Sequence, residues 1–117
     1  MGATLISTNP TLMGVTHQAH TIELPSDPFR YVDAIDTTTG AMPGQLLILT
    51  AVGSGTGEIR IRDMVTTTPH TNNTTGKNIK CGGATTSMIQ LNGPNDNAIF
   101  VYSGTVWIAI SSFEGGS

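Results

Sequence analysis

The sequence predicts an all-β domain of the sandwich or barrel kind, and three observations lead there. Short apolar, β-branched segments recur at intervals of roughly ten residues, each bounded by Gly, Pro, Asn or Ser. Threonine is abundant, with nineteen copies in 117 residues. Helical spacing is nearly absent, since no eleven-residue window keeps apolar residues at i, i+3, i+4 and i+7 without an intervening Gly or Pro. The length is that of one domain.

Along the chain, Thr4-Leu5-Ile6, Leu12-Met13 and Thr21-Ile22-Glu23-Leu24 are brief apolar pieces divided by Asn9-Pro10, Gly14 and Pro25-Ser26-Asp27-Pro28. Prolines remove ladder donors, so residues 1–28 fit an extended N-terminal arm that adds to another subunit's surface, and a frayed tail fits equally well. Residues 29–117 are then the β-sandwich domain. Its first segment, Phe29 to Ile35, fits a strand. Gln45 to Val52 is a continuous apolar run with the length and β-branched content of a strand covered on both faces. Glu58-Ile59-Arg60-Ile61-Arg62-Asp63 alternates, as a half-buried strand requires. The glycine-rich Gly53 to Gly57 between them is expected to close a hairpin.

Residues 66–76 hold no apolar side chain and read as a loop. Strands are expected at Asn78–Cys81 and Ser87–Leu91. The clearest element is the pair Ala98–Tyr102 and Thr105–Ile110, flanking a Ser103-Gly104 turn.

Composition excludes several classes of function. Five basic residues against eight acidic ones cannot build the positive face that nucleic acid needs. No run of 18 apolar residues exists to span a bilayer. The N-terminus lacks the basic and long apolar regions of a secretory signal, so synthesis in the cytoplasm is expected. One cysteine, Cys81, permits no intrachain disulfide. Charged residues make up only 11% of the chain. Thr, Ser and Asn desolvate at lower cost than Lys or Glu, so such a surface suits packing against other subunits.

No constellation points to catalysis. Gly53 to Gly57 is not a phosphate loop, because an alternating strand rather than a helix follows it. His17 and His20 form His-x-x-His, with His70 and Cys81 further on, but zinc ligand spacing is lacking. Copies of one histidine could meet on a symmetry axis; a hydrogen-bonded histidine is the simpler reading. Asp33, Asp36 and Asn95-Asp96-Asn97 lack EF-hand spacing and fit turn capping better than calcium binding. Lys80 beside Cys81 would lower the thiol pKa, yet no histidine is tied to it. Catalytic residues, metal ligands and cofactors are therefore expected to be none. Trp107, with Tyr102 nearby, fits either packing or stacking on a sugar ring, and packing is the commoner use of one tryptophan on an alternating strand.

Four pieces in order carry a resemblance: Pro43-Gly44-Gln45, Glu58 to Asp63, Gly76-Lys77-Asn78-Ile79, and Val101-Tyr102-Ser103-Gly104-Thr105-Val106-Trp107. The stretch from Pro43 to Ser111 resembles virion proteins of tailed bacteriophages, especially capsid decoration (cement) proteins and trimeric fibre tips. The last piece is the most specific, with Ser103 where fibre tips often carry Asp. The resemblance implies a sandwich or jelly-roll-like module assembled as a homotrimer on the virion. The short chain, starting at Met1, favours a stand-alone decoration subunit on the capsid surface over a long fibre. Such a trimer would bridge major capsid protein subunits, with Leu5, Ile6, Ile22 and Leu24 of the arm contacting the shell. The alternative is a host-receptor module that binds a glycan near Trp107 and the 66–76 loop.

Overall fold

Alternating apolar residues give each segment one face fit for a core, and the segments sort into two sheets that share it. The computed structural model describes residues 2–4, 11–13, 19–26, 28–35, 41–66 and 77–113, with only the backbone for the first two stretches. Among the described residues there are ten strands and no helix, hence none long enough to cross a membrane. They are β1 (Gly2–Thr4), β2 (Thr11–Met13), β3 (Ala19–Glu23), β4 (Phe29–Ile35), β5 (Leu46–Val52), β6 (Glu58–Arg62), β7 (Ile79–Lys80), β8 (Met88–Leu91), β9 (Asn97–Tyr102) and β10 (Trp107–Phe113). Sheet A has the order β1-β3-β5-β9-β10-β7, and sheet B the order β2-β4-β6-β8. The protein is an all-β, sandwich-like domain.

The first six strands alternate between the sheets, so the chain winds as a flattened coil with parallel neighbours. β3 runs parallel to β5 from Ala19↔Ile48 to Glu23↔Val52. β4 runs parallel to β6 from Phe29↔Glu58 to Val32↔Ile61. Both ladders keep one offset, 48 − 19 = 58 − 29 = 29 residues, so one complete turn of the coil separates them. The remaining strands close the sandwich: β8 pairs antiparallel with β6, and β9 lies antiparallel between β5 and β10. This mixture of parallel turns and antiparallel strands is a coiled sandwich. A jelly roll, the other form open from the sequence, pairs its strands antiparallel.

Gly53 to Gly57 joins β5 of sheet A to β6 of sheet B, so it is an arch between sheets and not the expected hairpin turn. It stacks on the equivalent Leu24–Pro28 arch of the preceding turn. Gly57 N–H donates to Pro25 O at 2.8 Å and Glu58 N–H to Pro28 O at 3.1 Å. Gly55 sits so close that an added Cβ would lie 2.2 Å from Leu24 O and 2.5 Å from Pro25 O. Both obstacles are backbone, so no side-chain movement relieves them.

The core is built from Ile22, Val32, Leu47, Leu49, Ile59, Ile61, Phe100 and Trp107, all fully buried, with Leu24, Ile35, Ile79 and Leu91 around them. Residues 19–26, expected in an arm, therefore belong to the sandwich. β3 pairs on both sides, and Ile22 and Leu24 point inward rather than toward a shell. Leu5 and Ile6 lie outside the described residues. The β9–β10 hairpin is present, with a four-residue turn in place of Ser103-Gly104 alone. Ser103 N–H donates to Val106 O, and Ser103 Oγ accepts from Thr105 and Val106 N–H.

Two substitutions check this packing by urea unfolding. Gly55→Ala should destabilise the domain by roughly 3 kcal/mol, the upper end of overpacking costs. Ile22→Ala should cost about 2–5 kcal/mol, as a core truncation does. An Ile22→Ala change of a few tenths would place Ile22 back on a peripheral arm.

Candidate functional site

The outer faces of the two sheets differ in chemistry. On sheet B the register puts Phe29, Tyr31 and Asp33 of β4 beside Glu58, Arg60 and Arg62 of β6. Arg62 grips Asp33 with two hydrogen bonds, Nε to Oδ1 at 2.6 Å and one terminal nitrogen to Oδ2 at 2.5 Å. Both side chains are 2% exposed. The Arg62 guanidinium also lies 3.9 Å from the Tyr31 ring centroid, and Arg60 lies 4.4 Å from that of Phe29. Arg60 is hydrogen-bonded to Glu58, which raises its pKa. Asp33 is thus an ion-pair partner in a strand, rather than a turn cap or half of a calcium site; Asp36 lies outside the described residues.

The outer face of sheet A is apolar. Leu46, Ile48, Thr50 and Val52 alternate with the buried Leu47, Leu49 and Ala51, and they are only half-buried. β9 sets Val101 beside Leu46, Ile99 beside Ile48 and Asn97 beside Thr50. Ile108 of β10 adjoins Val101, and Ala19 of β3 adjoins Ile48. The strands β5, β9 and β10 contain no charged residue, and Glu23 stands at a corner of the face beside Val52. A run with the character of a doubly covered strand is thus fully buried on one face and, among the described residues, only partly buried on the other.

This sheet also ends in an open edge. β7 is two residues long and pairs with β10 only at Trp107 and Ile108. A register shift between Ala109 and Ser111 follows, and Ile110 and Phe113 are 55% and 62% exposed. A groove of about 430 Å³ runs there between β10, Ile89 of β8 and the Lys80–Gly82 segment.

Beneath the groove, Asp63 ties the end of β6 to the loop after β7. Its carboxylate accepts from Val65 N–H at 3.0 Å, Cys81 N–H at 2.8 Å and Gly83 N–H at 2.9 Å. Burial opposes its ionisation, but these bonds and the Lys80 charge outweigh burial and hold its pKa below the usual value. The Cys81 thiol goes the other way. Burial first, then the Asp63 charge, pushes it up to about 12, which overrides the lowering expected from Lys80. At neutral pH it is a protonated thiol directed at Ile61 O, 3.7 Å away.

The remaining sequence candidates take structural places. Trp107 is fully buried and packs against Tyr102, with ring centroids 4.9 Å apart. Neither face of that indole is open to a sugar. The Tyr102 hydroxyl donates to Gly104 O at 3.0 Å, which closes the hairpin. His20 is buried in β3, while His17, His70 and residues 67–76 lie outside the described residues. Asp96 caps the preceding turn, accepting from Asn92 and Gly93 N–H. Among the described residues no three His, Cys, Asp or Glu side chains gather into a metal-binding group. Sequence reasoning did not single out Ile99, Val101 or Phe113 as surface residues. The signal was present in their strands, which lack charge on either face.

No protein-family model, curated protein or solved structure matches this chain.

Two measurements check the Asp63–Cys81 unit. Asp63→Ala, which leaves three backbone donors without their acceptor, should cost about 2–3 kcal/mol at pH 7. A carboxylate with a lowered folded pKa stabilises above its unfolded value of about 3.9 and loses that contribution as pH falls through the folded value. The gap between wild type and Asp63→Ala should therefore close below about pH 4 in urea titrations. Iodoacetamide at pH 8 should alkylate Cys81 at least about a hundredfold more slowly in the native protein than in urea, because only the thiolate reacts.

Proposed function

We propose that this protein is a structural subunit of a tailed-phage virion. It acts as a capsid decoration protein, forming a homotrimer on the head and stabilising contacts between major capsid subunits. The outer face of sheet A carries the reading: it is apolar and uncharged across β5 and β9, and its side chains are only partly buried in the single chain. Large contiguous apolar patches mark protein contacts. The other face of this sheet is the packed core, and among the described residues no element of the chain lies over Ile48 and Ile99, so a second subunit is a natural cover for them. The placing of Arg60, Arg62, Asp33 and Glu58 on sheet B supports the same reading, since covering β5, β9 and β10 of sheet A strands no charge. The resemblance of Pro43 to Ser111 to decoration proteins supplies the virion context. Binding to the expanded shell alone would stabilise that state by mass action. The fibre-tip glycan reading loses its aromatic platform, because Trp107 is in the core.

Purified protein at micromolar concentration should show a native mass of three times 12.2 kDa. It should also co-sediment with empty expanded phage shells and raise their melting temperature. Ile99→Lys, which places a charge on the outer face, should abolish co-sedimentation and retain the β-sheet circular dichroism spectrum. Shells that neither bind the wild type nor gain stability would sink the decoration reading.

A further inference from the structure

Among the described residues the sandwich is open along one side, and both sheets end there. Sheet A stops at β10, whose residues 109–113 have β9 on one side and no strand among the described residues on the other. Sheet B stops at β8, which among the described residues pairs only with β6. The two free edges line common grooves, one between Ile89 and residues 108–112, the other between residues 88–90 and the Ser112–Phe113 end.

Register tells which backbone groups are free. Tyr102 hydrogen-bonds toward Gln45 and Gly44, so Ala98, Phe100 and Tyr102 face β5 while Asn97, Ile99 and Val101 face β10. Their partners Ile108, Ser111 and Phe113 therefore point their backbone groups at β9. Trp107, Ala109 and Ser112 point theirs outward, as the bond from Trp107 N–H to Asn78 O shows. Past Ile108 that outward row has no ladder partner among the described residues. Natural sheets guard such edges with lysine, proline or inward charges. Here residues 97–113 and 87–91 contain no charge and no proline, and exposed Ile110 and Phe113 stand on the edge itself. Lys80, on the rim by β7, is the charged residue lining the groove.

We propose that this open side is where copies of the chain join, the free edge of sheet A in one copy continuing into the free edge of sheet B in the next. The inference deepens the assembly reading above and rests on it for the expectation that copies associate. The occupant is a second copy for two reasons. A row of unpaired amides and carbonyls is satisfied in register only by another strand edge. Each copy also carries both kinds of edge on the same side, and neither brings a like charge against its mate, despite a net charge of −3 for the chain. With both edges on one side, the joint closes either as a two-fold pair in which each edge meets its mate or, repeated head to tail around an axis, as a ring.

Native mass spectrometry at micromolar concentration tests this with two variants. Ser112→Pro removes an outward donor without touching the β9 ladder, and Phe113→Asp puts a charge on an exposed edge position. The wild type should be multimeric, and both variants should fall to 12.2 kDa with an unchanged β-sheet circular dichroism spectrum. A folded Phe113→Asp that keeps the wild-type mass overturns the proposal, and so does a monomeric wild type. Shell binding is scored separately. A multimer lost in the variants, with no wild-type binding to shells, keeps this contact and rejects the virion role. Wild-type binding to shells with mass unaltered in the variants does the reverse.

Discussion

The fold depends on a fixed distance along the chain. Two parallel ladders in two different sheets hold the same 29-residue offset, and the arches between them stack with it. Parallel strands tolerate slippage wherever their faces are alike, since a one-residue slip exchanges core and surface. Two devices forbid it here. Gly55 lies against the backbone of Leu24 and Pro25, where no other residue fits. Asp33 and Arg62, themselves 29 residues apart, form a bidentate pair that closes only in this register. Breaking such a pair leaves a buried charge uncompensated, at about 3–5 kcal/mol. The contribution of the pair is thus to specificity of winding more than to net stability.

The same register divides the surface. Because β4 and β6 bring their charged residues together on sheet B, the central strands of sheet A are left without any. Two ion pairs, Arg60 with Glu58 and Arg62 with Asp33, lie on sheet B, while the partly buried outer residues of β5 and β9 carry no charge. The low charge of the whole composition is the visible trace of this division. A subunit that is part of a larger body has less need of a charged coat than a solitary one.

Much of this was legible in the amino acids. The strands at 46–52, 58–62, 88–91 and 97–102 fall within a residue or two of where alternation places them, because side-chain alternation is a local property. Pairing is not local, and there the sequence misleads. Gly53 to Gly57 has the composition of a hairpin turn, and nothing in it reveals that the chain crosses to the other sheet. The 29-residue winding leaves no sequence repeat, since Thr21 and Thr50 are the only identical pair between residues 19–32 and 48–61. Proline-broken residues 19–28 looked like an arm because their core membership depends on β5, which lies two arches later. Nor does alternation reveal that Arg62 is buried, because its partner Asp33 sits on a different strand. What the continuous apolar run did show, a neutral β5 fit for burial on both faces, became informative only once one face was seen to be just partly buried.

The winding has a consequence for how the chain is made. β3 and β4 leave the ribosome first, yet their lasting neighbours β5 and β6 follow 29 residues later, and β5 in turn pairs with β9. Ile22 and Val32 therefore wait without a core while more than half the protein is still being translated. The late antiparallel hairpin of β9 and β10, made of near neighbours, forms quickly once it emerges and offers β5 a surface on which to settle. The pairings that complete the core are thus those made last along the chain, and the N-terminal strands are the ones that depend on them.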